Sequence, residues 1–239
     1  MCIRDRMETL IGLFGIGQMP TGEKDPFALR RHALGVLRML IEKALPVSLN
    51  TLIDAAWEAE KAVPGVTDHR EELRQFFQDR LRVMLRDAGY TTLEVDAVLA
   101  LNPGKLDELP KRLAAVRAFM ALPEAEALTA ANKRIGNILK KIEGEVPTVV
   151  NEALLAEDAE KQLFAAINDV EPKALQHFAA GEYEQMLATL AVLRGPVDSF
   201  FDNVMVNAED PALRATRQAL LKRLYDVMNK VAEIARLAK

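Results

Sequence analysis

A single cysteine, Cys2, in 239 residues excludes an intrachain disulfide and any zinc site built on several thiolates. Histidine is nearly as scarce. His32, His69 and His177 lie far apart, no HExxH or His-Asp dipeptide occurs, and Asp68-His69 runs in the reverse order, so no metal site is expected. Aromatics make up only 5% of the chain, which leaves the core to Leu, Ala, Val and Ile. The 12 glycines and 11 prolines are grouped between periodic segments rather than scattered through them, favouring an all-α protein over a sandwich or barrel. No apolar run approaches the roughly 20 residues of a membrane-spanning helix. Positive charge is not in excess either: the net charge is −4, so contact with nucleic acid must come from local patches. No Ser, Cys or Thr carries a nucleophile's local signature and Gly-x-Ser-x-Gly is missing, so no catalytic residue is expected.

What is present is a succession of amphipathic helices. Half the residues are apolar and 28% are charged, as in soluble globular proteins. The opening MCIRDR has neither a signal-peptide core nor a clear helical pattern. Residues 1–6 read as a non-native leader, and Leu10, Ile11, Leu13 and Phe14 as the end of a helix entered from its middle. The chain is then expected to be the C-terminal piece of a longer protein. After the loop Gly15–Asp25, Asp25 is expected to cap a helix with Pro26 at its first position and Phe27, Leu34, Leu37, Leu40 and Ile41 along its apolar stripe. Ser48 should cap the next helix. Asp68 with Glu71 resembles a capping box for a third, whose buried face is Leu73, Phe76, Phe77, Leu81, Met84 and Leu85. A short helix over Thr91–Leu101 ends at Asn102-Pro103-Gly104, the expected domain boundary. Beyond it, helices are predicted over Asp107–Leu122, Pro123–Glu143, Glu157–Ala179, Glu182–Leu193 and Pro196–Val206, and from Asp210 to the end. Pro172 should kink or split the helix that contains it.

Gly17-Gln-Met-Pro-Thr-Gly22-Glu-Lys-Asp has a passing likeness to a phosphate-binding loop. The lysine must directly follow the second glycine, with Ser or Thr next. Here Glu23 intervenes and Asp25 would repel phosphate, so the segment reads as a structural loop. The Pro123–Glu143 helix is more informative. Leu128, Ala131, Ile135, Ile138 and Ile142 form its buried stripe, while Lys133, Arg134, Asn137, Lys140 and Lys141 share another face. Residues seven apart differ by only about 20° around a helix, so Lys133 aligns with Lys140 and Arg134 with Lys141. Four cations with few intervening acids make a phosphate-contacting ridge; an ordinary solvated face is the competing reading. In the terminal helix, Arg217 falls near the middle of the apolar seam of Leu213, Leu220, Leu224, Val227, Val231 and Ile234. A cation there must be paired, with Asp202 and Asp210 as candidate partners and a structural role. Arg214, Lys222 and Arg223 read as more exposed and are the further RNA candidates.

Two blocks carry a family resemblance. VDSFFDNVMVNAEDPALRATRQALLKRL, from Val197, resembles the end of the β subunit of bacterial-type tetrameric glycyl-tRNA synthetase, and LIGLFGIGQMPTGEKDPFALRRHALGVLRMLIEK, from Leu10, resembles an upstream block of the same subunit. The resemblance covers residues 7–239. It implies that residues 7–104 are the C-terminal part of an HD-like helical domain and residues 105–239 a DALR-like helical anticodon-binding bundle. The HD family's metal-binding His-Asp pair is missing here, so phosphohydrolase activity is not carried over. The Asp-Ala-Leu-Arg motif stands as Asp210-Pro211-Ala212-Leu213-Arg214, with Pro211 inserted. By resemblance, this chain would bind tRNA(Gly) in the cytoplasm as part of a heterotetramer, alongside the α subunit and a second β subunit and away from membranes. The α subunit would perform glycylation with ATP and Mg²⁺, leaving this chain without a cofactor. The alternative is a non-catalytic helical scaffold for subunit assembly.

Overall fold

The computed structural model describes residues 2–238; Met1 of the expected leader and Lys239 at the end of the expected last helix lie outside the described residues. Among the described residues there are eleven α-helices and no strands, only isolated bridges at Thr21–Lys24 and Ser48–Lys105. The chain divides into two compact units. One runs up to Val95 and adds Asn102–Pro110; the other comprises Asp96–Leu101 and Lys111 onward. The division is thus not a single cut between residues 104 and 105. Lys105 bridges to Ser48 in the first unit, whereas the Ala97 carbonyl accepts from Glu233 N at 2.8 Å in the second.

The first unit is built on α1 (Ile3–Gly15), α2 (Leu29–Glu42), α3 (Leu49–Glu60) and α4 (Arg70–Asp87). Leu10 and Phe14 of α1, Val36, Leu37 and Leu40 of α2, Ile53 of α3, and Leu73, Phe77 and Leu81 of α4 are buried. Residues 3–6, expected outside the fold, are helical: Arg6 donates to the Arg31 carbonyl at 3.3 Å and lies against Gly35 of α2. A Cβ at Gly35 would stand 2.5 Å from that guanidinium, so glycine permits the approach. The start of α2 also differs from expectation. Ala28 adopts a left-handed conformation (φ 53°), so the helix begins at Leu29, Pro26 lies before it, and Phe27 is exposed rather than buried. Asp25 still caps the helix from a distance, accepting from Leu29 N at 2.8 Å and Arg30 N at 3.0 Å. Ser48 sits at the cap of α3 without a side-chain bond. Asp68 accepts from Arg70 N at 3.1 Å instead of forming a box with Glu71. Arg70 and Arg74 of α4 both donate to Asp54 of α3, at 2.8 and 2.7 Å, tying the two helices together.

Helix α5 spans Thr92–Leu99; its residues up to Val95 belong to the first unit and those from Asp96 to the second. The second unit contains α6 (Leu109–Met120, of which Lys111 onward belongs here), α7 (Ala125–Leu139), α8 (Asp158–Ala179), α9 (Tyr183–Ala191), α10 (Arg194–Asn203) and α11 (Pro211–Met228). Short 3₁₀ turns follow at Glu152–Leu154 and Ile234–Leu237. α8 packs on α9, α10 and α11, and α7 packs on α10 and α11. Leu128 and Ile135 of α7, Leu163 and Ile167 of α8, Phe200 of α10, and Leu220, Leu221 and Leu224 of α11 make the core. α8 runs through Pro172 as a single helix, with that proline on its exposed face. The last helix does not reach the end of the chain. Asn229 donates to the Tyr225 carbonyl at 2.7 Å and accepts from Ile234 N at 3.0 Å, turning the chain so that Val231, Ile234 and Leu237 enter the core from outside the helix.

Candidate nucleic-acid interface

Lys133, Arg134 and Asn137 project from the solvent face of α7, opposite its buried Leu128, Ala131 and Ile135. Helix α7 stops at Leu139, short of the expected Glu143. Lys140 N makes a last α-helical bond to the Gly136 carbonyl at 3.0 Å, and Lys141 N closes a shorter loop to that of Ile138 at 3.1 Å, a tightening common at helix ends. Lys140 keeps helical dihedrals at the cap (φ −66°, ψ −21°), so the cationic face carries on past the last helical residue. All five of these polar side chains are exposed. Among the described residues, none of the four cations has a carboxylate within ion-pair distance. The guanidinium of Arg134 lies 4.1 Å from the ring centroid of Phe201 in α10, close enough for cation–π attraction to hold it in place.

This ridge borders a groove of about 490 Å³. Lys133, Arg134, Asn137 and Lys141 line one side, Asn207 and Gln218 the other, and Ala130, Ile138 and Ile142 supply apolar surface. Its far wall is fixed from behind. Arg217 of α11, only 5% exposed, donates to the Met205 carbonyl at 2.7 Å, and Arg214 donates to that of Ala208 at 3.1 Å. Asp210 caps α11 by accepting from Ala212 N at 2.8 Å and Leu213 N at 3.4 Å. The segment carrying Asn207 is therefore held on both sides.

The partner of Arg217 is neither Asp202 nor Asp210. It is Glu160, a fully buried carboxylate at the start of α8. The other oxygen of Glu160 accepts from Ala156 N at 2.8 Å and Glu157 N at 3.1 Å, so one side chain caps α8 and neutralises a buried cation. Asp202 is exposed and forms no ion pair among the described residues. Arg214 is half-buried rather than exposed. Lys222 pairs with Asp226, and Arg223 donates to Glu171 at 2.6 Å and Asn168 at 2.7 Å. These three cations are committed to intramolecular bonds, and none of them lines the groove. Sequence reasoning missed Phe201, Asn207 and Gln218 as neighbours of the ridge. The only local hint was that Gln218 follows Arg214 by one helical turn.

Elsewhere, His69 meets Glu72 at 3.3 Å and His177 meets Glu182 at 2.7 Å, and no group of three metal-ligating side chains occurs among the described residues. No helix among them is long and apolar enough to cross a membrane.

Residues 1–100 match a family model described as glycyl-tRNA synthetase beta subunit, and residues 128–235 match the DALR anticodon binding domain. The second match contains the whole ridge and groove. Among curated relatives, the glycine–tRNA ligase beta subunit of Leptothrix cholodnii is 61% identical over 238 residues, that of Thiobacillus denitrificans 55% over 239, and that of Delftia acidovorans 56% over 238. Each alignment takes in 100% of this chain, which spans about a third (33–34%) of the relatives' length.

Proposed function

This chain belongs to the glycyl-tRNA synthetase beta subunit family, and from that membership we propose that its second unit grips tRNA(Gly) and positions it for glycylation by a partner α subunit. The observation that carries this reading is the set of four cations, Lys133, Arg134, Lys140 and Lys141, exposed along one face and without ion-pair partners among the described residues, within the stretch similar to an anticodon-binding domain. A solvated face on an acidic protein ordinarily pairs some of its cations locally, as Lys222–Asp226 and Lys173–Asp169 do on α11 and α8. Unneutralised cations in a row match a phosphate backbone, whose release of counterions on contact drives binding.

In this reading the chain contributes no reacting group. The α subunit uses ATP with Mg²⁺, and this chain works in the cytoplasm within an assembly that includes a second copy of the β subunit. The test is tRNA(Gly) binding by a variant with Lys133, Arg134, Lys140 and Lys141 all changed to Glu. Affinity should fall by at least roughly tenfold at moderate salt. Unchanged affinity would remove the ridge from the account and leave the helical-scaffold alternative.

A further inference from the structure

We propose that the groove beside α7 accommodates an unstacked nucleobase of the bound RNA, with Asn137, Asn207 and Gln218 reading its edge. This rests on the tRNA-binding reading and adds base recognition to phosphate contact. Three carboxamides from three separate segments, α7, the 204–210 turn and α11, line the groove together. Among the described residues, none of the three side chains makes a hydrogen bond within the chain. Each carboxamide offers both an acceptor and two donors, the combination that matches the edges of bases. A site for phosphate alone needs only donors.

The rest of the groove agrees with this assignment. Ala130, Ile138 and Ile142 give it an apolar lining, which a flat base can cover and a phosphate cannot use. Its volume of about 490 Å³ falls within the range of small-ligand sites. The guanidinium plane of Arg134 is held 4.1 Å from the Phe201 ring centroid at the groove wall; such planes are stacking surfaces for bases splayed from single-stranded RNA. Lys133 and Lys141 then hold the flanking phosphates. The wall carrying Asn207 is set in advance by the bonds of Arg217 and Arg214 to Met205 and Ala208, so reading a base requires no rearrangement of that turn.

The test compares the full chain and its Asn137→Ala and Gln218→Ala variants on two transcripts: tRNA(Gly), and a tRNA of equal length with different loop sequences. Thermal melting of each variant confirms that it is folded, and Asn207→Ala supplies a third variant on a separate segment. The carboxamide variants should lower the preference for tRNA(Gly) by roughly 5- to 100-fold, with the salt dependence of binding unchanged. Equal weakening on both transcripts, no change on either, or no preference in the unmodified chain would overturn base reading while leaving phosphate contact intact. A Lys133→Glu, Lys141→Glu double variant separates the two claims: if it binds tRNA(Gly) as tightly as the unmodified chain, phosphate contact by the ridge is itself wrong.

Discussion

Glu160 has no solvent exposure, yet it is an acid, and its environment accounts for every oxygen contact that keeps it there. Arg217 takes one oxygen and two backbone amides take the other. Removing one member of such a pair leaves an uncompensated buried charge. Glu160→Ala should therefore destabilise the chain by about 3–5 kcal/mol in urea denaturation, far more than a surface carboxylate would. A loss below about 1 kcal/mol would mean that Arg217 finds water or another partner. Asp68 represents the opposite case, a solvent-facing carboxylate. Hydrogen bonds from the Arg70 side chain and backbone pull its pKa down from 3.8 to about 2. A depressed carboxylate pKa contributes stability that is fully present above the unfolded value near 4 and lost as pH falls towards 2. An NMR titration should place the Asp68 midpoint near 2; a midpoint near 4 would show that the Arg70 contact does not persist in solution.

At the scale of the element, helix existence followed from the apolar spacing while helix ends did not. Leu128, Ala131 and Ile135 marked the buried face of α7, and the exposed positions of Lys133, Arg134 and Asn137 follow from the same periodicity. The start of α2 escaped because a left-handed residue, Ala28, delays it beyond the proline that usually signals a start. The end of α11 escaped because Asn229 stops it through bonds to residues on both sides, while the apolar spacing continues into Val231 and Ile234. Lys222 could have been withdrawn from the RNA candidates on sequence alone, since Asp226 follows at i+4. Arg223 could not, because Glu171 lies 52 residues away and periodicity says nothing about such pairs. The Arg217–Glu160 pair, 57 residues apart, was invisible for the same reason. The uninterrupted course of α8 gives its own prediction. Pro172 sits in the helix interior on an exposed face, where alanine restores a backbone donor and removes a ring clash. Pro172→Ala should raise stability by about 1–3 kcal/mol in thermal or urea unfolding. A loss would show that the proline ring makes packing contacts worth more than the helix gains.

Over the whole molecule, an acidic chain is assigned to a polyanionic ligand. The formal charge of −4 is an average over a surface on which cations are sorted by role. Arg70, Arg74, Arg217 and Arg223 are bound to carboxylates within the fold, whereas Lys133, Arg134, Lys140 and Lys141 form a row without acidic partners among the described residues. The exposure of a row of like charges costs little in water, and it becomes favourable when phosphates replace the counterions around it. The most direct measurement is the affinity of the full chain for tRNA(Gly) as a function of salt, with and without the Lys133, Arg134, Lys140 and Lys141 changes to Glu. If the ridge contacts about four phosphates, the slope of log Kobs against log salt should flatten by about 3 in the variant. An identical slope in the two proteins would contradict the central claim that this face of α7 holds the RNA backbone.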